Sequence, residues 1–132
     1  MIKQYVEIIT DFQAIHNWPE CPIEEVEFLK HPHRHKIIVT VKIETSEDRQ
    51  IEFFMLKEMV DKIIIILFGS ARTKELGRMS MEEISTKILN KLRITYSDCY
   101  IKVSASEDGQ VRGIVKYINS KQLDDGKNKK TN

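Results

Sequence analysis

The hydrophobic pattern predicts two strands within the first 45 residues. Five of the ten residues at 3–12 are apolar, and residues 35–44 alternate between apolar and polar side chains with a period of two. Residues 17–32 contain three prolines and no clean period, which predicts a long loop with a short helical turn in its middle. In the second strand, four apolar side chains are expected to share one face: Ile37, Val39, Val41 and Ile43.

The middle of the chain carries two helical patterns. Apolar residues recur at helical spacing over 55–68, and Gly69 is expected to end this helix. The sequence Ser-Met-Glu-Glu at 80–83 is a capping box that opens a second helix over 81–92. Residues 49–53 are predicted to form a strand that pairs with residues 35–44 in a hairpin. Residues 69–79 are predicted to form a polar, basic loop.

Strand patterns return near the C-terminus, at residues 98–104 and 111–118, with a turn at residues 107–110. The predicted order is therefore strand, strand, helix, helix, strand, strand. This order predicts one α+β domain over residues 1–120, with a four-stranded antiparallel sheet and both helices on one face. The tail from 121 to 132 is almost devoid of apolar residues and is expected to be disordered.

Charge and composition narrow the function classes. The 132 residues carry a net charge of +1, which argues against a protein that binds long nucleic acids. The sequence has no apolar run long enough to span a membrane and no signal-peptide pattern, so we expect a cytoplasmic protein without membrane partners. In that compartment the two cysteines are expected to be free thiols.

The candidate chemistry lies in the histidines, because all four fall within twenty residues. His33 and His35 flank one residue at the start of the second strand, so their imidazoles lie on one face. His16 follows the first strand and can supply a third nitrogen. Three histidines with an open fourth position are the ligand set of a catalytic zinc. A polar cluster without metal is the alternative interpretation.

These residues resemble a known family. The motif Phe-x-Ala-x-His at 12–16 and His-x-His at 33–35 resemble the 6-pyruvoyltetrahydropterin and 6-carboxytetrahydropterin synthases, which adopt the tunnelling fold (T-fold). Weaker agreement follows at 51–57, at the cap at 79–83 and at 103–107, and the resemblance covers residues 3–118 in all. Only the histidine motif is specific.

The resemblance implies a set of functional residues and partners. His16, His33 and His35 would bind zinc, and Glu107 would hold a pterin or guanine-like ring through paired hydrogen bonds. Arg34 and Arg112 are further candidate ligand contacts. The partners would be a small pterin or nucleotide and further copies of the chain, in trimers stacked into hexamers. In the alternative interpretation Glu107 belongs to a turn, and Arg34 faces solvent.

Two departures weaken the enzymatic prediction. The family carries a cysteine shortly before His-x-His and an Asp-His pair after the first helix, and both are missing here. Cys21 and His31 are the remaining candidates for acid–base catalysis, although Cys21 also suits a structural thiol. Two function classes follow. One is a zinc-dependent lyase that acts on a pterin-type substrate. The other is a non-catalytic, oligomeric phage-type protein that sequesters a small cyclic nucleotide signal, as anti-Thoeris sponges do.

Overall fold

A computed structural model describes residues 1–119 of the chain and gives an α+β fold with five strands and two α-helices. A 3-10 helix at Glu24–Lys30 lies in the loop between the first two strands. The strands are β1 (Gln4–His16), β2 (His33–Thr45), β3 (Thr73–Gly77), β4 (Ile101–Glu107) and β5 (Val111–Tyr117). The helices are α1 (Phe53–Phe68) and α2 (Met81–Thr95). The predicted tail from 121 to 132 lies outside the described residues.

The five strands form a single sheet in the order β3-β1-β2-β4-β5. All neighbouring strands are antiparallel except β1 and β3, which are parallel. The long pairing of β1 with β2 places His16 directly opposite His33. The pairing of β2 with β4 places Ile37 opposite Glu107. Both registers bring polar residues to the same end of the sheet.

One face of the sheet packs against the two helices and forms the core. The alternation predicted for β2 is confirmed, since Ile37, Val39, Val41 and Ile43 are all fully buried. Their partners in α1 include Leu56 and Val60, and those in α2 include Ile84, Ile88 and Leu92. The opposite face of the sheet carries no helix within the described residues. It carries both polar and apolar side chains and is partly exposed, with Ile9 and Ile114 among the exposed apolar residues.

Two predicted elements were wrong. Residues 49–53 do not form a strand, because Glu52 caps α1 by accepting hydrogen bonds from the backbone N–H groups of Phe54 and Met55. The predicted loop at 69–79 contains β3, so the sheet has five strands rather than four. In β3 the side chains of Lys74 and Leu76 are both buried, and those of the residues between and beside them are not. The Lys74 ammonium donates to the carbonyls of Gly69 and Ala71.

Helix α2 approaches β5 closely at Gly113. A Cβ atom at this position would lie 2.4 Å from the backbone nitrogen of Glu82, so only glycine lets the helix pack here. The predicted helix start is confirmed, because Ser80 Oγ accepts a hydrogen bond from the Glu83 N–H. The Ser85 hydroxyl donates to the carbonyls of Met81 and Gly113 and ties the helix to the strand. These contacts place the first turn of α2 beside the histidines.

Strands β3 and β5 form the two edges of the sheet. Each presents unpaired backbone groups on its outer side, which favours pairing with another chain. No helix among residues 1–119 is long and apolar enough to cross a membrane.

Candidate metal centre

Three histidines and one glutamate meet at one end of the sheet. His16 ends β1, His33 and His35 begin β2, and Glu107 ends β4. The period of two puts all four side chains on the helix-covered face, in line with the buried residues of each strand. The ring centroids lie 4.5 Å apart for His16 and His33 and 4.8 Å apart for His33 and His35.

Each imidazole is held at its outer edge through Nδ1. His35 Nδ1 lies 2.7 Å from Asp108 Oδ2, and His33 Nδ1 lies 2.8 Å from the carbonyl oxygen of His31. His16 Nδ1 lies 3.5 Å from the carbonyl oxygen of Met79. All three partners are acceptors, which favours the tautomer with the proton on Nδ1 and a free lone pair on Nε2. Outer acceptors of this kind set the tautomer and the ring orientation of metal-binding histidines.

The free Nε2 atoms converge on the carboxylate of Glu107. Oε1 of this residue lies 2.9 Å from His16 Nε2, and Oε2 lies 3.5 Å from His35 Nε2. One potential ligand atom from each of the four residues lies within 4.8 Å of the others. The Nε2 atoms of His16 and His33 are buried without a hydrogen bond, because an Nε2 without a proton and the Glu107 carboxylate are both acceptors. Buried polar atoms without a partner are rare, and a bound cation would satisfy both.

Burial favours the neutral form of His16, the most enclosed of the three imidazoles. It lowers the pKa of His16 below the ordinary value of 6.5, and the nearby Glu107 carboxylate opposes this shift only in part. A neutral imidazole is the form that binds a metal ion. Three imidazole nitrogens therefore form a donor set that fits a divalent transition metal such as zinc, with the Glu107 carboxylate beside them.

A cavity of about 510 Å³ opens beside the histidines. A volume of this size falls within the range of small-molecule sites. Its walls come from the end of β1, the start of β2, the turn before α2 and the end of β4 with the start of β5. The charged or titratable side chains in the lining are His16, His33, Arg78, Glu82, Glu107 and Arg112.

The structure brings together some of the predicted site residues and separates others. Arg112 lines the cavity, whereas Arg34 is exposed and points to the other face of the sheet, opposite Ile15. Cys21 is buried, and its thiol lies 3.7 Å from the carbonyl oxygen of Ile23, away from the cavity. The side chain of His31 is exposed and does not line the cavity, although its carbonyl holds His33.

Sequence reasoning missed two residues at this site. Asp108 holds His35 from outside, and its backbone N–H donates to the carbonyl of Lys36. The hydrogen bond to His35, followed by that from the Lys36 N–H, lowers the pKa of Asp108 below its ordinary value. The carboxylate of Glu82 lines the cavity from the first turn of α2. The capping box predicted this helix start, but the position of Glu82 beside the cavity depends on how α2 packs against β5, at Gly113.

The fold and the site together define an α+β protein in which three histidines and a glutamate that could hold a metal ion lie beside a cavity. No protein-family model matches the chain, and no curated protein is similar to it in sequence. Solved structures are similar. The 6-pyruvoyl tetrahydropterin synthase of Plasmodium falciparum superposes with a TM-score of 0.64 at 20% identity, covering 89% of this chain and 99% of that one.

Two further structures agree. The Caenorhabditis elegans 6-pyruvoyl tetrahydropterin synthase gives a TM-score of 0.61 at 16% identity, over 91% of this chain and 98% of that one. A Plasmodium vivax 6-pyruvoyltetrahydropterin synthase variant, with a catalytic glutamate replaced by alanine, gives a TM-score of 0.60 at 17% identity. The match covers 88% of this chain and 99% of that one. The chain thus has the fold of the 6-pyruvoyl tetrahydropterin synthases. The resemblance inferred from the histidine motifs is confirmed at the level of the fold.

Proposed function

We propose that this chain binds zinc through His16, His33 and His35 and acts as a lyase on a pterin- or purine-type small molecule held in the adjacent cavity. The clustering of three imidazoles and a carboxylate, of which His16, His33 and Glu107 line the cavity, is the observation that supports this most strongly. Three protein ligands leave a position for substrate, as in catalytic zinc sites. When bound, the metal would act as a Lewis acid on substrate oxygens.

Glu107 is proposed to anchor the ring of the ligand. Its carboxylate lies at the border between the histidines and the cavity, and both oxygens can accept hydrogen bonds from a ring N–H and an amino group. A paired acceptor of this kind selects strongly for a guanine-like edge, because a ligand that lacks the donors leaves buried charge unpaired. Arg112 and Arg78, also in the lining, suit an anionic group on the same ligand.

Glu82 is proposed as the general base. In the P. vivax enzyme a glutamate is a catalytic residue. Here the cavity lining contains no cysteine, but it contains the Glu82 carboxylate, which has no hydrogen bond or ion pair among residues 1–119. A carboxylate in that position could take a proton from a bound substrate. Cys21 and His31, the candidates from the sequence, lie outside the lining and stay predictions.

The working form is proposed to be a homo-oligomer. The edges β3 and β5 each leave backbone groups unpaired, and pairing edge to edge would close the sheets into a barrel. We propose trimers stacked into hexamers, as the family resemblance implies. The size of the particle in solution, measured by light scattering, tests this directly.

A non-catalytic binder of a cyclic nucleotide is the second candidate. It is favoured by one observation, namely that neither a cysteine nor an aspartate lines the cavity among the described residues. Such a protein would keep the ring site and the oligomer without turnover.

Metal analysis followed by a turnover assay separates these functions. Zinc bound at one ion per chain, with turnover of dihydroneopterin triphosphate that Glu82→Gln abolishes, supports the lyase. Tight binding of a pterin or cyclic nucleotide without turnover supports the binder. Absence of zinc at stoichiometric level contradicts the proposed lyase.

A further inference from the structure

The open face of the sheet carries a row of lysines in register across three strands. Lys42 on β2 lies directly opposite Lys102 on β4, and Lys102 lies directly opposite Lys116 on β5. Side chains directly opposite one another are close neighbours, and like charges in that relationship destabilise a sheet. Lys42 and Lys102 are half-buried, which strengthens their repulsion.

Little in the described chain offsets this positive charge. Glu7 lies opposite Lys42 on β1, but it forms no ion pair with any of the lysines. Lys42 Nζ lies 4.3 Å from the centroid of the Tyr5 ring, which is a weak stabilising contact and not a counter-charge. Lys102 and Lys116 have no ion-pair partner within residues 1–119. The sheet thus carries an unfavourable arrangement that an anion would relieve.

A shallow cavity lies next to the lysine row on the same face. Its volume is about 70 Å³, which is roomy enough for a small oxyanion in place of water. Two hydroxyl residues that face each other across the strands, Thr40 and Ser104, form its floor. Glu7, Arg112 and Ile114 also belong to the lining. Three cationic residues therefore outnumber the single carboxylate around the hydroxyl donors, and this excess of positive charge suits phosphate oxygens.

We propose that this face binds an oligophosphate group, with Lys42, Lys102 and Arg112 as its cationic contacts and Thr40 and Ser104 as hydroxyl donors. The lysine row spans two strand spacings, about 10 Å, which suits a chain of phosphates better than a single one. The lysine row lies on the opposite face of the sheet from the histidines, and Arg112 is the one residue that lines both this cavity and the one beside the histidines. The proposal does not depend on zinc or on the proposed lyase activity.

Calorimetric titration with sodium tripolyphosphate tests the proposal. Lys102→Gln is expected to weaken binding about tenfold or more, because it removes one charge-assisted hydrogen bond. Lys36→Gln is the matched control. It removes the same charge from the same face, but Lys36 lies outside the cavity and 3.8 Å from Asp11. This control is expected to bind within about twofold of the wild type.

Thermal melting and a titration with GTP test the same proposal. Lys102→Gln should melt at or above the wild-type temperature without ligand, since it relieves repulsion, and should gain less from tripolyphosphate. A parallel titration with GTP identifies the source of the phosphate: tighter binding than tripolyphosphate indicates a nucleotide, and equal binding indicates the phosphate chain alone. The proposal is overturned if wild-type protein does not bind tripolyphosphate. It is also overturned if Lys102→Gln binds as the wild type does, which would place the anion elsewhere, or if both variants lose affinity equally.

Discussion

Asp108 fixes the orientation of His35 from the side opposite the metal centre. Its Oδ2 atom lies 2.7 Å from Nδ1 of His35, while its Oδ1 atom accepts the backbone N–H of Lys36 at 3.0 Å. The backbone of β2 therefore holds the Asp108 carboxylate in place, and the carboxylate in turn orients His35 of the same strand. An outer acceptor of this kind fixes the orientation of the ring, so that Nε2 of His35 faces the cluster of histidines.

Replacing Asp108 by asparagine should weaken zinc binding about 10- to 100-fold, the range typical of outer-shell changes. Asparagine tolerates the positive φ of 56° found here and can still accept from the Lys36 N–H, so the turn should persist. Competition with a chromophoric chelator measures the affinity. Asp48→Asn, an exposed change of equal charge in the loop before α1, is the control and should leave affinity unchanged. Equal affinity in both variants would show that Asp108 does not orient the ligand.

Replacing Glu107 by glutamine separates ring anchoring from metal binding. Three histidines suffice to hold zinc, so the variant should keep the metal, whereas binding of a pterin should weaken by about 2–3 kcal/mol as the charged acceptor is lost. Metal content and pterin affinity are measured on the same preparation. Loss of zinc with Glu107→Gln would instead make the carboxylate a metal ligand. Glu47→Gln, in an exposed loop, controls for the charge change.

Replacing Gly113 by alanine should destabilise the protein by about 1–3 kcal/mol, as overpacking in a close-packed interior does. The added methyl group would lie 2.4 Å from the Glu82 nitrogen and 2.6 Å from the Met81 carbonyl carbon, so the first turn of α2 must move. Urea denaturation measures the loss, and Lys116→Ala on the same strand, which is exposed, should not destabilise. Since this turn also carries Glu82, ligand binding should weaken in the glycine variant. Unchanged stability would mean that the helix shifts freely.

The sequence predicts the core of the fold better than its edges. The alternation of Ile37, Val39, Val41 and Ile43 specifies β2 because one face of the sheet is covered by helices. Strand β3 was not predicted because it has only five residues, and its buried Lys74 is of a type more common in exposed loops. The strand predicted at 49–53 fails because a local cap by Glu52 outweighs the apolar pattern.

The three histidines of the cluster were predictable from the sequence, and the contacts that hold them were not. The period of two along β2 predicts that His33 and His35 share one face, and the resemblance to the family motif adds His16. The approach of Glu107 depends on the register of β4 against β2, and the contact of Asp108 depends on the turn that follows. A single sequence contains no direct signal for either relationship. The same is true of the lysine row, which appears only when three strands are placed in register.

The zinc content of the purified protein tests the central claim most directly. After dialysis against zinc and removal of excess metal, elemental analysis should give one zinc per chain. EDTA should lower the melting temperature, since a metal bound only to the folded state stabilises it. His33→Ala should remove the metal, while His31→Ala, whose side chain lies outside the cluster, should retain it. One zinc per chain that is lost only in His33→Ala is the predicted result; wild-type protein without zinc, or His33→Ala with full zinc, would contradict the account.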